Sequence, residues 1–264
     1  MRRWLLAFAL VACKRTPSVP EVQLRLLRDG APLAEVSLPS LAERVAQVRT
    51  DDPYYGKSKT FFAVPLAAVL ERFGADADRT YVLRAKDGYS VPFEPARLHE
   101  AGAWLAFADA EVAGYEPIGA QQTNPFPLYL IWSEPGQGDL ETHPRPWQLE
   151  SIDLTRFELA YPHTAPPAQE DAAADARAAQ GYAGFRSACF KCHAINREGG
   201  RVGPELNVPQ NVFEYLHADY IRSFVRDPAQ YRYSVMPSHT SMPDEELDAI
   251  LFYVRSMRAR KHVP

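Results

Sequence analysis

The residues whose types and spacing carry the clearest chemistry lie late in the chain, at Cys189-Phe190-Lys191-Cys192-His193. Two thiols three positions apart fall on one side of a helical turn, and an imidazole follows at once. That arrangement suits covalent addition of both sulfurs to the vinyl groups of a single haem c, with His193 reaching the iron. Zinc would need two further ligands at C-x-x-C or H-x-x-x-H spacing, and the sequence has neither. A redox dithiol of the thioredoxin kind would open a helix after a strand and would lack the adjacent histidine. The remaining cysteine, Cys13, stands alone near the start, so no disulfide framework is available.

A haem motif needs helices to hold it. From about residue 178 to 257 the chain shows helical periods at both ends and a proline-punctuated middle, which predicts a small all-α domain over 178–264. Its last helix spans Asp244 to Met257, with acidic residues in the first turn and Leu247, Ile250, Leu251 and Val254 on one face. Residues 161–177 change character. There, His163-Thr-Ala-Pro166-Pro167 gives way to an acidic, alanine-rich run that reads as a linker entering a helix.

The surroundings of the motif resemble class I cytochromes c. Gly181-x-x-x-Phe185-x-x-x-Cys189 is similar to that family's N-terminal helix, whose glycine permits close crossing by the C-terminal helix. Gly203-Pro204-x-Leu206 is similar to the segment after the motif, and the resemblance implies that the Pro204 carbonyl accepts the ring proton of His193. It also implies a sixth iron ligand before the last helix, where Met236-Pro237 matches the methionine-proline signature and Met242 and His239 are rivals. Met236 leaves seven residues before Asp244 for the loop to cross the haem face, whereas Met242 suits an apolar staple at the helix entrance. A His/Met pair raises the reduction potential and fills both axial positions, which implies electron transfer between redox partner proteins.

Upstream, residues 13–160 read as a β-rich α+β domain. Strands are predicted at Val22 to Leu26, Thr80 to Arg84, Trp104 to Asp109, Leu128 to Ser133 and Gln148 to Leu154, with an Asp29-Gly30 hairpin turn. Val64 to Arg72 is expected to be helical, with Pro65 in its first turn and Leu66, Val69 and Leu70 on one face. Four segments resemble the molybdopterin-binding fold of the sulfite-oxidase family. They are Phe62-Ala63-Val64-Pro65-Leu66-x-x-Val69-Leu70, Ala85-x-Asp87-Gly88-Tyr89-x-Val91-Pro92, Pro127-Leu128-Tyr129-Leu130-Ile131-Trp132 and Trp147-Gln148-Leu149-x-Ser151-Ile152. In that family a cysteine ligates molybdenum, and this stretch has none after Cys13. The resemblance therefore implies a docking or ligand-binding role, with molybdopterin binding and oxidoreductase chemistry as the alternative. Tyr54, Lys57 and Tyr89 are candidates to line a pocket, Asp87-Gly88 reads as a tight turn, and His99, His143 and His163 read as surface residues.

The first residues complete the picture. Met1-Arg2-Arg3 and the apolar run from Trp4 to Ala12 follow the order of an export signal, too short for a bilayer span of about 20 residues. Leu10-Val11-Ala12-Cys13 resembles a bacterial lipobox, which implies removal of residues 1–12, acylation of Cys13, and a lipid-anchored protein of the periplasm or cell envelope. With 29 basic and 33 acidic residues and no basic stripe, the chain lacks the footprint of a nucleic-acid partner.

Overall fold

A computed structural model describes residues 18–74, 79–119, 121–140, 142–234 and 236–262; Cys13 and the segment expected to be an export signal lie outside the described residues. The period-two patterns of the first half form β1 (Gln23–Arg28), β2 (Ala31–Ser37), β3 (Ala46–Asp52) and β4 (Lys57–Pro65). After α1 (Leu66–Leu70) come β5 (Thr80–Ala85), β6 (Ser90–Phe93), α2 (Pro95–Leu98), β7 (Ala103–Asp109), β8 (Tyr129–Trp132), β9 (Leu149–Thr155) and α3 (Phe157–Ala160). The strands make two sheets, ordered β2-β1-β9-β5-β6 and β3-β4-β7-β8. Only the β1–β9 pairing is parallel among these.

Alternation decides which side chain goes where. In β4, Phe62 and Val64 enter a core shared by both sheets, with Leu24, Leu83, Leu105 and Ile152. Phe61 and Ala63 point the other way, into a smaller cluster with Tyr129 and Ile131. Each large apolar side chain so buried contributes about 1.5–3 kcal/mol relative to exposure. A one-residue slip of β4 would exchange the two sets, so the register is strongly specified. The same constraint corrects the expected helix: Val64 pairs with Leu105 and Pro65 with Trp104, so both belong to β4. Pro65 is then the extended residue preceding α1, and Leu66, Val69 and Leu70 are buried as expected.

The second half is built on α4 (Ala172–Gly184), a small hairpin of β10 (Ala194–Ile195) and β11 (Glu198–Gly199), α5 (Ala218–Arg226) and α6 (Asp244–Ser256). The hairpin is a small departure from the all-α expectation. Helix α4 starts within the segment read as a linker, because Asp171 caps it by accepting from the Ala174 N–H at 2.8 Å and the alanines that follow favour helix. Helices α4 and α6 cross at Gly181, where an added Cβ would lie 1.9 Å from the Ala249 carbonyl oxygen. Only glycine allows that approach. Between the domains, Tyr161 and Thr164 are buried. The Tyr253 hydroxyl donates to the Thr164 carbonyl at 2.6 Å, and Asn196 Nδ2 to the His163 carbonyl at 2.8 Å.

Candidate haem centre

Helix α4 runs into a wider turn over Phe185–Cys189, closed by the Phe190 N–H donating to the Phe185 carbonyl at 2.8 Å. Such π-type turns recur at functional sites. Cys192 and His193 then donate their N–H groups back to the Cys189 carbonyl, at 3.1 and 2.9 Å. The turn is therefore tight, and both cysteines are half-buried and outside any disulfide. Phe190 is fully buried with Phe185 and Tyr253, and anchors the middle of the motif in the core.

The returning chain seats the imidazole. Gly203 donates to the Cys192 carbonyl at 2.8 Å, and a Cβ there would lie 2.4 Å from the His193 ring. His193 Nδ1 donates to the Pro204 carbonyl at 2.9 Å, which leaves Nε2 as the lone-pair nitrogen. Burial lowers the His193 pKa and outweighs the Pro204 hydrogen bond and the nearby Glu205, which favours the neutral ring. Burial also raises the pKa of the Cys192 thiol, against the pull of Lys191, which argues against an activated dithiol.

The residues present fit a flat apolar macrocycle. Cys189 packs against the domain core together with Leu206, Phe213, Leu216, Val225 and Met242, and all of these remain only half covered by protein. Helix α5 buries Ile221 alone, although Phe224 and Val225 are also apolar. Cys189, Cys192 and His193 would hold the haem, with this lining against its face. Met236 is half-buried and its N–H donates to Ser234 Oγ at 3.1 Å. Met242 is the methionine packed into the apolar lining, and its carbonyl accepts from Arg226. The His239 N–H donates to the Arg226 carbonyl at 3.1 Å.

The candidate pocket of the N-terminal domain separates. Tyr54 meets Trp147 edge-on at 4.9 Å and Tyr89 sits in the β5–β6 turn, whereas Lys57 pairs with Glu116 at 2.9 Å. His143 is not a surface residue: its ring sits edge-on to Trp132 at 4.9 Å, and Nε2 lies 2.8 Å from Arg97 and 3.0 Å from Glu100. His99 is exposed, and His163 stacks on His262 with ring centroids 3.6 Å apart. Two polar networks escaped the sequence reading. In one, Arg145 and Asp52, at 2% and 1% exposure, form an ion pair at 3.3 Å that also takes the Tyr129 hydroxyl. In the other, Asn211 donates to Asn207 and Asn207 to Asn196, at 2.9 and 2.8 Å, through the interior of the second domain. The Asp52-Pro53 dipeptide signals only the turn, in which Asp52 Oδ1 accepts from the Tyr54 N–H at 3.0 Å.

A helical domain in which a crossing glycine, a paired-thiol turn and a carbonyl-anchored histidine converge is a c-type cytochrome domain, which makes the protein an electron-transfer haem protein. Residues 176–254 match a family model described as cytochrome c oxidase, cbb3-type, subunit III. That segment is less than a third of the chain, and the likeness rests on it alone. A search of curated proteins finds no match to the chain. Among the described residues, no helix is long and apolar enough to cross a membrane.

Proposed function

We propose that the protein is an exported, lipid-anchored monohaem cytochrome c that passes electrons between redox partners, with its N-terminal domain docking a partner. The observation that supports this best is His193, fixed by Pro204, beside two cysteines outside any disulfide and a half-covered apolar lining. Bound there, the haem supplies a one-electron couple whose potential follows its axial ligands and surroundings. Cys189 and Cys192 would hold it covalently, and His193 Nε2 and Met236 would be the iron's protein ligands, with Pro204 keeping the ring in the ligating tautomer. Helices α4 and α6, crossing closely at Gly181, bury Phe185 and Tyr253 with Phe190 of the motif.

The N-terminal domain is read as a docking module because no cysteine between residues 14 and 188 is present to ligate molybdenum. Cys13 is read as the lipid attachment point in the periplasm or cell envelope.

Purified protein should retain one haem per chain through acid-acetone extraction and lose it in the double variant Cys189→Ala, Cys192→Ala. Haem that extracts from the wild type would sink the covalent reading. Cys13→Ser should release the protein from the membrane fraction or block its processing, and unchanged attachment would remove the anchor. About one molybdenum per chain on elemental analysis would replace the docking role with an oxidoreductase. The weak thioether-to-iron band at the red edge of the ferric spectrum should vanish in Met236→Ala and persist in Met242→Ala; the reverse would move the ligand to Met242.

A further inference from the structure

The haem-binding segment is not surrounded by its own domain alone. Strand β6 is the edge of the five-stranded sheet, so part of its backbone has no strand to pair with. The Ser90 N–H at the start of that edge donates to the Lys191 carbonyl, in the middle of the thiol motif, at 3.2 Å. From the opposite direction, the Arg201 N–H donates to the Gly88 carbonyl at 2.9 Å. Gly88 has φ +94°, and an added Cβ would come within 3.1 Å of Arg201 Cβ, so the β5–β6 turn fits closely against the segment following the motif. A second contact runs alongside: Ser90 Oγ and the Tyr161 hydroxyl are 3.0 Å apart, and Tyr161 meets Phe190 edge-on at 4.6 Å.

The same turn carries a fixed charge. Asp87 Oδ1 accepts from the Tyr89 N–H at 2.9 Å and Oδ2 from Trp147 Nε1 at 3.0 Å, so its carboxylate is held rather than free to rotate. Asp87 precedes Gly88, which fits against Arg201, and lies three residues before Ser90, which bonds Lys191 beside Cys192, so the turn brings the carboxylate to the thiol motif.

We infer that the β5–β6 turn of the N-terminal domain is a wall of the haem site and that Asp87 is a residue that tunes the haem's reduction potential. This rests on the haem reading above. A negative charge beside the thioether edge stabilises ferric over ferrous iron, so it lowers the potential. Its removal raises it. Asn in place of Asp deletes the charge and keeps one acceptor, enough for the Tyr89 N–H but not also for Trp147 Nε1; Trp147→Phe, which loses that second hydrogen bond and keeps the charge, separates tuning from packing.

The test is a spectroelectrochemical titration of the full-length, haem-loaded protein and its Asp87→Asn variant at low and high salt. A charge acting over about 10 Å of partly solvated protein changes the ferrous:ferric ratio about threefold at fixed poise. For a one-electron couple at 59 mV per decade, that is a rise of about 30 mV. The rise should shrink toward zero near 1 M salt, where the screening length falls to about 3 Å. In hydrogen exchange, the amides of Ser90 and Arg201 should be protected in the full chain and lose protection together in Gly88→Ala. An Asp87→Asn potential equal to wild type at low salt, or a shift that ignores salt, overturns the inference while leaving the haem assignment standing. Absence of covalent haem in the wild type overturns the haem assignment and this inference with it.

Discussion

The two domains solve the problem of interior polarity in opposite ways. The N-terminal domain buries charge: Asp52 with Arg145, and Lys59 with Asp109 and, at 2.9 Å, Glu116. The cytochrome domain buries neutral amides instead, the Asn196–Asn207–Asn211 chain, which ends on the Val254 carbonyl at 2.7 Å. Its ion pairs, such as Arg222 and Arg226 with Asp244, stay near the surface. The difference has a physical logic. A buried ion pair holds distant strands in a single arrangement but puts a permanent field into the interior. An amide chain fixes loops just as definitely and adds no net charge to the interior of the domain. The charge of Asp87 then stands out because it comes from the other domain.

The contrast can be broken most sharply at Arg145. Removing one partner of a buried pair strands the other charge, at a cost of about 3–5 kcal/mol. Arg145→Ala should therefore lower the urea midpoint of the N-terminal domain by the largest margin of any single change considered. If the cytochrome domain, followed through its haem absorbance, melts at the same shifted midpoint, the two domains form one cooperative unit.

Next in size are two changes inside the cytochrome domain. Gly181→Val forces a side chain into the α4–α6 crossing, where overpacking costs about 1–3 kcal/mol or more. Thermal unfolding should show it with little change in the N-terminal domain's own transition. Asn207→Ala removes the middle of the amide chain and leaves buried partners unsatisfied, for about 1–3 kcal/mol. The same substitution should leave the reduction potential nearly unchanged, because no net charge is lost, and a large potential shift would show that the amide chain does more than hold loops.

The smallest effect is at the start of α6. Arg226, with Arg222, holds the Asp244 carboxyl below its ordinary pKa of 3.8. A depressed carboxylate stabilises the fold above the ordinary value, and the gain is lost as pH falls through the depressed one. The small advantage of wild type over Asp244→Asn should thus be constant from neutrality down to about pH 4, vanish in stronger acid, and fade with added salt.

How much of this was legible in the sequence follows the range of the interactions. The thiol motif, Gly181 and the α6 stripe depend on spacings within a few turns of helix, and the chain declares them directly. Strands such as Thr80–Ala85 were visible for the same reason. Val64 was misread because Pro65-Leu66 is a good helix opening, and only the pairing of Val64 with Leu105 makes it strand. Arg145 and Asp52 are 93 positions apart, and nothing local marks either as buried. His143 looked like a surface histidine until Trp132 and Glu100 closed around it. The Ser90–Lys191 bond joins two patterns that read as separate domains, and no local pattern in either one announces it.

The segment between the domains behaves as a strap. Besides Tyr161 and Thr164, its Ala165 carbonyl accepts from Arg260 at 3.1 Å, and Thr164 Oγ1 and the Tyr182 hydroxyl are 3.0 Å apart. A strap stitched at so many points gives the haem no swinging radius. A carrier on a loose tether can shuttle between donor and acceptor by itself. On the proposed role the whole molecule would rotate or travel to meet a partner, and lengthening the strap with glycine and serine should give the cytochrome domain a reach that the native chain denies it.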